Sequence, residues 1–131
     1  MIKLILEGHP IPWKAPYVGV RGAFSPLTRI MNDLRAILKE DYKEPLLDEA
    51  LSMDLNFYLK IPKGVSKKVR ELMISGKMRP IKTPDRDNLQ KFISDVLQGV
   101  VYKNDSVIVA GSSEKWYAES PRTEITIKKI F

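Results

Sequence analysis

Cysteine is absent from the 131-residue sequence, and histidine occurs once, as His9. Without cysteine the chain can form neither a disulfide bridge nor a zinc site built on thiolates. His9 stands directly before Pro10, and a lone histidine beside prolines is more often a loop residue than a ligand or a general base. The sequence therefore offers no histidine or cysteine chemistry on which to base a function.

Long apolar runs and nucleotide-binding motifs are also missing. No stretch is long enough to cross a bilayer, and the short apolar segment at the N terminus soon meets Glu7, which is a poor match to a signal peptide. There is no glycine-rich phosphate loop and no repeat or linker that would divide the chain. We expect a single cytoplasmic domain over residues 1–131, with no membrane partner and no nucleotide cofactor.

Positive charge is what the chain has in excess, with a formal net charge of +6. Such a balance favours polyanionic partners. The basic residues concentrate between Lys60 and Lys82, where Glu71 is the single acid, and this block ends just before Asp85-Arg86-Asp87. A phosphate-binding surface beside carboxylates suits a nuclease, whereas the simpler alternative is a solvated lysine-rich loop. The candidate DNA contacts are Lys14, Arg21, Lys63, Lys67, Lys68, Arg70, Lys77, Arg79 and Lys82.

Three helices are predicted from apolar spacing and capping residues. The first covers 25–41, with Ser25 as N-cap, Pro26 at the first helical position and an apolar stripe through Leu27, Ile30, Met31, Leu34, Ile37 and Leu38. A short basic helix is expected over 66–75. The third begins near Asp87 or Asn88, carries a buried apolar stripe of Leu89, Phe92, Ile93, Val96 and Leu97, and ends at Gly99.

Strands are expected at 1–6, 51–59, 106–116 and 124–130. The segment 51–59 alternates apolar and polar residues and is the clearest strand signal. Residues 17–24 fit either a short hairpin or a mobile loop. The order β-α-β-(α)-α-β-β predicts an α+β fold class: a single domain with a small mixed sheet and helices packed on one of its faces.

A cluster of charged residues coincides with the start of the third helix. Asp85 and Asp87 lie two residues apart at the loop-to-helix junction, and Asp87, Lys91 and Asp95 follow at four-residue steps on one polar face. Asp105, in a turn before a strand, offers a third carboxylate. Aspartates and waters suit Mg²⁺, and a metal with a lysine suits phosphodiester hydrolysis. The alternatives are helix capping by the aspartates and a surface ion pair between Lys91 and Asp95.

The run from Pro84 to Lys91, followed by Asp95, Leu97, Gly99 and Asn104-Asp105, resembles the signature of the RusA family of Holliday junction resolvases. The proline-rich segment 10–14, the helix at 25–41 and the strand at 51–59 are similar to the family's element order. The resemblance implies a RusA-like fold and a small bacterial or phage-encoded endonuclease. Such an enzyme resolves four-way DNA junctions as a homodimer, using Mg²⁺, for which Mn²⁺ can substitute.

Residue by residue, the resemblance implies that Asp85, Asp87 and Asp105 bind the metal and that Lys91 is catalytic. Asn88, Asp95 and Lys115 match supporting positions. The chain departs from the family where Asn104-Asp105 replaces two adjacent acids and Val107-Ile108 replaces a glutamine-valine pair.

Three other functions stay open from the residues alone. The first is a branched-DNA-binding protein without catalysis, the second a nucleotidyltransferase and the third a protein-interaction domain. Trp13, Tyr17 and Phe24 lie near Lys14 and Arg21, and they fit either stacking on unpaired bases or packing.

Overall fold

The computed structural model describes residues 1–15, 17–19, 22–24 and 26–131. Its elements confirm the α+β class and the predicted order, with one added hairpin. They are β1 (Ile2–Glu7), β2 (Tyr17–Gly19), β3 (Gly22–Phe24), α1 (Thr28–Asp41), β4 (Leu51–Lys60), α2 (Lys67–Ile74), α3 (Arg86–Leu97), a 3-10 turn η1 (Asp105–Val107), β5 (Ile108–Ala118) and β6 (Arg122–Lys129).

The main sheet is mixed and has the strand order β1-β6-β4-β5. β6 pairs antiparallel with both β1 and β4, whereas β4 and β5 are parallel. Parallel neighbours need a long crossover connection, and here that crossover carries both α2 and α3. The topology therefore sets α3, with its charged N-terminal half, against β5. The hairpin β2–β3 forms a separate antiparallel pair, which is the first of the two predicted alternatives for residues 17–24.

The core lies between the sheet and the helices α1 and α3. Alternate residues of β4 from Leu51 to Phe57 are buried and form one cluster with the predicted apolar stripe of α3, together with Leu38 of α1. That stripe consists of Leu89, Phe92, Ile93, Val96 and Leu97, all buried. Each such side chain contributes about 1.5–3 kcal/mol on leaving water. This burial fixes the rotation of α3, so its polar face points outward.

The other face of the sheet is lined by polar and aromatic side chains. Successive residues of a strand point to opposite faces, so Asn56 and Tyr58 of β4 lie on the face away from the core cluster. Their register partners Glu114 and Trp116 of β5 share that face, as does Arg122 of β6. We call this the open face.

The predicted start of the first helix was wrong, and so was the predicted extent of its buried apolar surface. α1 begins at Thr28, and Pro26 lies in the preceding turn rather than at the first helical position, while Ser25 lies outside the described residues. Leu27 is buried and holds that turn against the core. The predicted apolar stripe is wider than the buried surface, because Ile30 and Ile37 are exposed.

The remaining boundaries differ by smaller amounts. Ser66 caps α2 and accepts a hydrogen bond from the Val69 N–H at 3.2 Å. α3 begins at Arg86, just before the predicted start, and Gly99 with φ +84° follows its C-cap. The strand predicted from residue 106 instead begins at Ile108, because η1 precedes it.

Candidate active site

Asp85 is the N-cap residue of α3 by backbone conformation, with φ −69° and ψ 143°, but its side chain makes no capping hydrogen bond. Asp87 lies in the first turn of the helix, where the positive end of the helix dipole favours a carboxylate. Both side chains are exposed. Since Asp85 is not used as a cap, capping does not account for this aspartate, and its carboxylate is accessible from solvent.

Two surface depressions meet at Asp87. The first, which we call the α3 depression, is lined by Asp87, Gln90, Lys91, Ser94, Asp95 and Asp105. The second, the loop depression, is lined by Ile81, Lys82, Thr83, Asp85, Arg86, Asp87 and Lys115. The structure thus brings Lys91 together with three of the aspartates singled out in the sequence. Asp85 and Lys115 are grouped on the other side of Asp87.

The carboxylates do not form a closed metal cage. Across the described ranges of the chain, no three His, Cys, Asp or Glu side chains are arranged so that they could hold a metal ion together. Asp87 and Asp105 share the α3 depression, and Asp85 and Asp87 share the loop depression. Mg²⁺ commonly uses only one or two carboxylates and completes its octahedron with water. The oxygen donors present here fit a hydrated divalent cation of this kind.

Lys91 lies against an aromatic ring. Its Nζ is 4.2 Å from the centroid of the Trp13 ring, a cation–π contact. The backbone N–H of Trp13 donates to the carbonyl of Asn88 at 2.8 Å, which ties the proline-rich segment to α3. Among the ion pairs between described residues, none joins Lys91 to Asp95. The surface ion pair considered from sequence is therefore not formed, and Trp13 supports Lys91 instead.

Asp95 is half-buried at the far end of the α3 depression. Burial raises the pKa of its carboxyl group, and the nearby charge of Asp105 raises it further, while Lys91 and Arg35 act in the opposite direction. Arg35 of α1 donates to the carbonyls of Asp95 at 2.6 Å and Val96 at 3.1 Å. These two bonds hold the C-terminal end of α3.

The turn that carries Asp105 is fastened to α3. The backbone N–H of Asp105 donates to Oε1 of Gln98 at 3.0 Å. Tyr102, fully buried, donates its hydroxyl to the carbonyl of Ser94 at 2.8 Å. Burial raises the pKa of this hydroxyl far above its ordinary range, so Tyr102 is a neutral donor. These contacts hold the turn against α3, and Asp105 lines the α3 depression.

Sequence reasoning did not find Arg35, Gln98 or Tyr102. Arg35 lies 60 residues from its carbonyl partner in Asp95. Gln98 and Tyr102 are closer in sequence to their partners, but a glutamine at a helix end and a tyrosine in a loop carry no distinctive pattern. For Arg35, the available signal was an arginine directly after Leu34 of the apolar helical stripe.

Lys115 lies on the same sheet face as α3, because its register partner in β4 is the buried Phe57. Its Nζ donates to the carbonyl of Lys82 at 2.7 Å, which places the ammonium group at the edge of the loop depression. Nearby, Ser113 donates to Oε1 of Gln90 at 2.6 Å and joins β5 to α3.

The candidate DNA contacts fall into two groups. One group has exposed ammonium groups on loops and on the first turn of α2, and it comprises Lys14, Lys63, Lys67, Lys68, Lys77 and Lys82. The other is engaged within the protein: Arg70 pairs with Glu119, and Arg79 donates to the carbonyls of Gly76 and Lys115. Arg21 lies outside the described residues.

The guanidinium group of Arg79 is part of a stack on the open face. It lies 3.2 Å from the centroid of the Trp116 ring. Trp116 stacks on Tyr58 with ring centroids 6.4 Å apart, and Arg122 lies 3.9 Å from the centroid of the Tyr58 ring. We call these four side chains the open-face stack.

No helix within the described residues is long and apolar enough to cross a membrane.

Comparison with known proteins gives two matches. A family model described as Endodeoxyribonuclease RusA matches residues 24–128, which include α1 to β5 and nearly all of β6. The chain is also 30% identical over 137 residues to a Bacillus subtilis (strain 168) protein named "Uncharacterized protein YqaN". That match covers 98% of this chain and 96% of the relative.

Proposed function

This chain belongs to the RusA endodeoxyribonuclease family, and from that premise we propose that it resolves four-way DNA junctions as an endonuclease dependent on Mg²⁺. Mn²⁺ is expected to substitute. The observation that carries the proposal is the α3 depression, where Lys91 and three aspartates line one surface. The family as a whole generally depends on divalent metal ions.

We assign the metal ligands to Asp85, Asp87 and Asp105. All three present hard oxygen donors at the two depressions that meet at Asp87. When bound, a divalent cation would neutralise charge on the phosphate and lower the pKa of a coordinated water. The oxygen donors are split between two depressions. We therefore expect the three aspartates to coordinate the cation together only when DNA is also bound.

The chain's own residues supply positive charge and orientation. In the reaction a water oxygen bonds to phosphorus and gives up one proton, the bond from phosphorus to one ester oxygen breaks, and that ester oxygen takes up one proton. Lys91 is the cation best placed to stabilise the negative charge that develops on the phosphate. Trp13 contacts its ammonium group, Asn88 anchors Trp13, and Asp95 lines the same depression as Lys91. Lys115 stabilises the negative charge of a neighbouring phosphate at the loop depression.

DNA would be held by the exposed lysines of α2 and the surrounding loops. Lys63, Lys67 and Lys68 are exposed, so their ammonium groups can reach phosphates without breaking contacts within the protein. Phosphate contacts position the DNA but do not read its sequence. Paired cuts across a four-way junction require two active sites, which a two-fold homodimer provides.

Binding without cleavage is the competing function. It is favoured by one observation: within the described part of the chain no three acidic side chains are already arranged around a common point. A protein of this kind would bind four-way junctions equally well with and without Mg²⁺ and would never cut them.

The test is cleavage of a synthetic four-way junction beside a linear duplex of the same sequence, with and without Mg²⁺. Asp85→Asn removes one carboxylate charge at nearly constant size, and Asp48→Asn makes the same change at an exposed position before β4. We expect paired cuts in the junction alone. Asp85→Asn should lower the rate about a hundredfold or more while binding survives, and Asp48→Asn should cut normally. Tight binding with no cutting by the native protein, in Mg²⁺ or Mn²⁺, would establish the competing function.

A further inference from the structure

An isoleucine beside the proposed active site stands almost fully in water. Ile81 is 92% exposed, and among the described residues only the terminal Phe131 is a large apolar side chain with greater exposure. Ile81 lines the loop depression together with Asp85, Asp87 and Lys115. A substrate that reaches those carboxylates therefore also meets Ile81.

The loop that carries Ile81 is held on both sides. Two residues earlier, Arg79 donates to the carbonyl of Lys115 at 3.0 Å. One residue later, the carbonyl of Lys82 accepts a hydrogen bond from Nζ of Lys115 at 2.7 Å. Pro80, directly before Ile81, is buried and has a restricted backbone. The isoleucine side chain therefore projects into solvent from a backbone that is fixed against β5.

The positive charges around Ile81 favour a polyanion as the binding partner of this surface. Lys82 follows Ile81 directly, Lys77 is four residues earlier, and the ammonium group of Lys115 contacts the carbonyl of Lys82. A branched alkyl group makes no favourable interaction with a phosphate. Base faces are large apolar surfaces of DNA, and stacking covers them in a continuous duplex. They become accessible where stacking is interrupted, as it is at a branch point.

We propose that Ile81 inserts between bases at the branch point of the DNA and so favours branched over linear substrates. The inference rests on the proposed nuclease function, to which it adds a residue that discriminates between substrates. Apolar side chains of this size act as wedges between base steps in other DNA-binding proteins. A wedge fixed next to the carboxylates would also place the phosphates beside the branch within reach of the α3 and loop depressions.

The experiment uses four-way junctions that carry 2-aminopurine beside the branch, because the fluorescence of this base rises when it is unstacked. All binding measurements are made in an Asp85→Asn background, so that cutting does not obscure them. Ile81→Ser removes the wedge and Ile81→Leu preserves it. Ile130→Ala is the control, since Ile130 is 49% exposed and its N–H bonds to Ala50, at the opposite end of β4 from the loop.

We expect the fluorescence rise with the background protein, with Ile81→Leu and with Ile130→Ala, and its loss with Ile81→Ser. The preference for junction over duplex should fall roughly fivefold to tenfold with Ile81→Ser, which corresponds to losing the burial of about one to two methylene groups. Equal fluorescence and equal preference for Ile81→Ser would overturn the inference while leaving the nuclease function intact. Conversion of a dimer to monomers by Ile81→Ser would also overturn it, because Ile81 would then be an interface residue. If the native protein fails to bind junctions, both proposals fail.

Discussion

The two faces of the sheet differ in how their charged side chains are paired. On the open face each guanidinium group of the stack has both a ring and a carboxylate. Arg79 lies over Trp116 and 3.6 Å from Glu114, and Arg122 lies over Tyr58 and 2.8 Å from Glu124. Even the indole N–H of Trp116 is satisfied, by Oδ1 of Asn56 at 2.8 Å.

On the α3 side the charges are left available. Asp85 makes no capping bond, and in the described part of the chain neither Asp85 nor Asp87 belongs to an ion pair. Lys91 contacts the ring of Trp13, and no carboxylate among the described residues lies within ion-pair distance of it. Asp85 and Asp87 carry like charges two residues apart and repel each other, which offsets the favourable interaction of Asp87 with the helix dipole. The comparison indicates that the open-face charges serve the fold and that the α3-side charges serve a partner.

The strongest test of this division is the loss of the proposed catalytic lysine. Lys91→Met keeps the length of the side chain and removes its charge. We expect cleavage of four-way junctions to fall about 10²- to 10⁴-fold, the usual contribution of a positioned acid–base or charge-stabilising group. Because Lys91 is exposed, the free energy of unfolding should change by only about 0.5 kcal/mol.

Lys128→Met is the matched control, since Lys128 is an exposed lysine of β6 outside both depressions. It should cut junctions at the native rate. Single-turnover cleavage and urea unfolding measure the two quantities. A Lys91→Met protein that cuts normally would remove Lys91 from the active site, and one that is strongly destabilised would show that its charge serves the fold.

The reverse result is expected on the open face. Trp116→Leu deletes the ring that joins Arg79 to Tyr58 and the indole bond to Asn56. We expect the free energy of unfolding to fall by about 2 kcal/mol, from lost apolar area and lost cation–π contact. Cleavage measured well below the melting temperature should stay within about threefold of native, a difference of less than 1 kcal/mol in the activation barrier.

Tyr58→Phe provides the comparison for that change, because it keeps the ring of the stack and removes only a hydroxyl. It should be close to native in both measurements. If Trp116→Leu lost cleavage while remaining fully stable, the open face would be part of the functional surface and the division between the two faces would not hold.

Where local pattern decided the structure, sequence reasoning succeeded. The alternation of β4 and the apolar stripe of α3 were predicted correctly because each is set by burial along one element. The start of α1 was misplaced because Leu27 is buried in a turn, and a turn can be buried without helical periodicity. Ile37 is exposed for a different reason. An apolar stripe shows which side chains of a helix can be buried, whereas the tertiary fold determines which of them are covered.

The candidate site was predictable in its α3 portion and not in its supports. Asp87, Lys91 and Asp95 share a face by helical spacing alone, and they line one depression. The contact of Trp13 with Lys91 and the bond from Arg35 to the Asp95 carbonyl depend on how distant segments pack. No spacing rule predicts those contacts. Nor did the sequence indicate that Arg79 would be used in the open-face stack.

The smallest expected effect concerns Asp95, whose raised pKa has a consequence for stability. Burial, the main cause, disfavours the ionised carboxylate in the folded chain. Its protonated form therefore adds stability below the ordinary pKa of 3.8, and this contribution is lost as the pH rises through the raised value in the folded protein. Asp95→Asn lacks the titration, so its unfolding free energy relative to native should increase with pH over that window, by less than the change at Trp116.

Urea unfolding with a chelator present, from pH 3 to pH 7 at constant ionic strength, measures the difference between Asp95→Asn and native protein. Repeating it in the Lys91→Met background sharpens the result, because Lys91 is the main attraction that opposes burial. The gain from Asp95→Asn should then be larger. A gain that shrinks as the pH rises would mean that Lys91 and Arg35 outweigh desolvation. Asp95 would then be paired like the open-face acids, and it would belong with the charges that stabilise the fold.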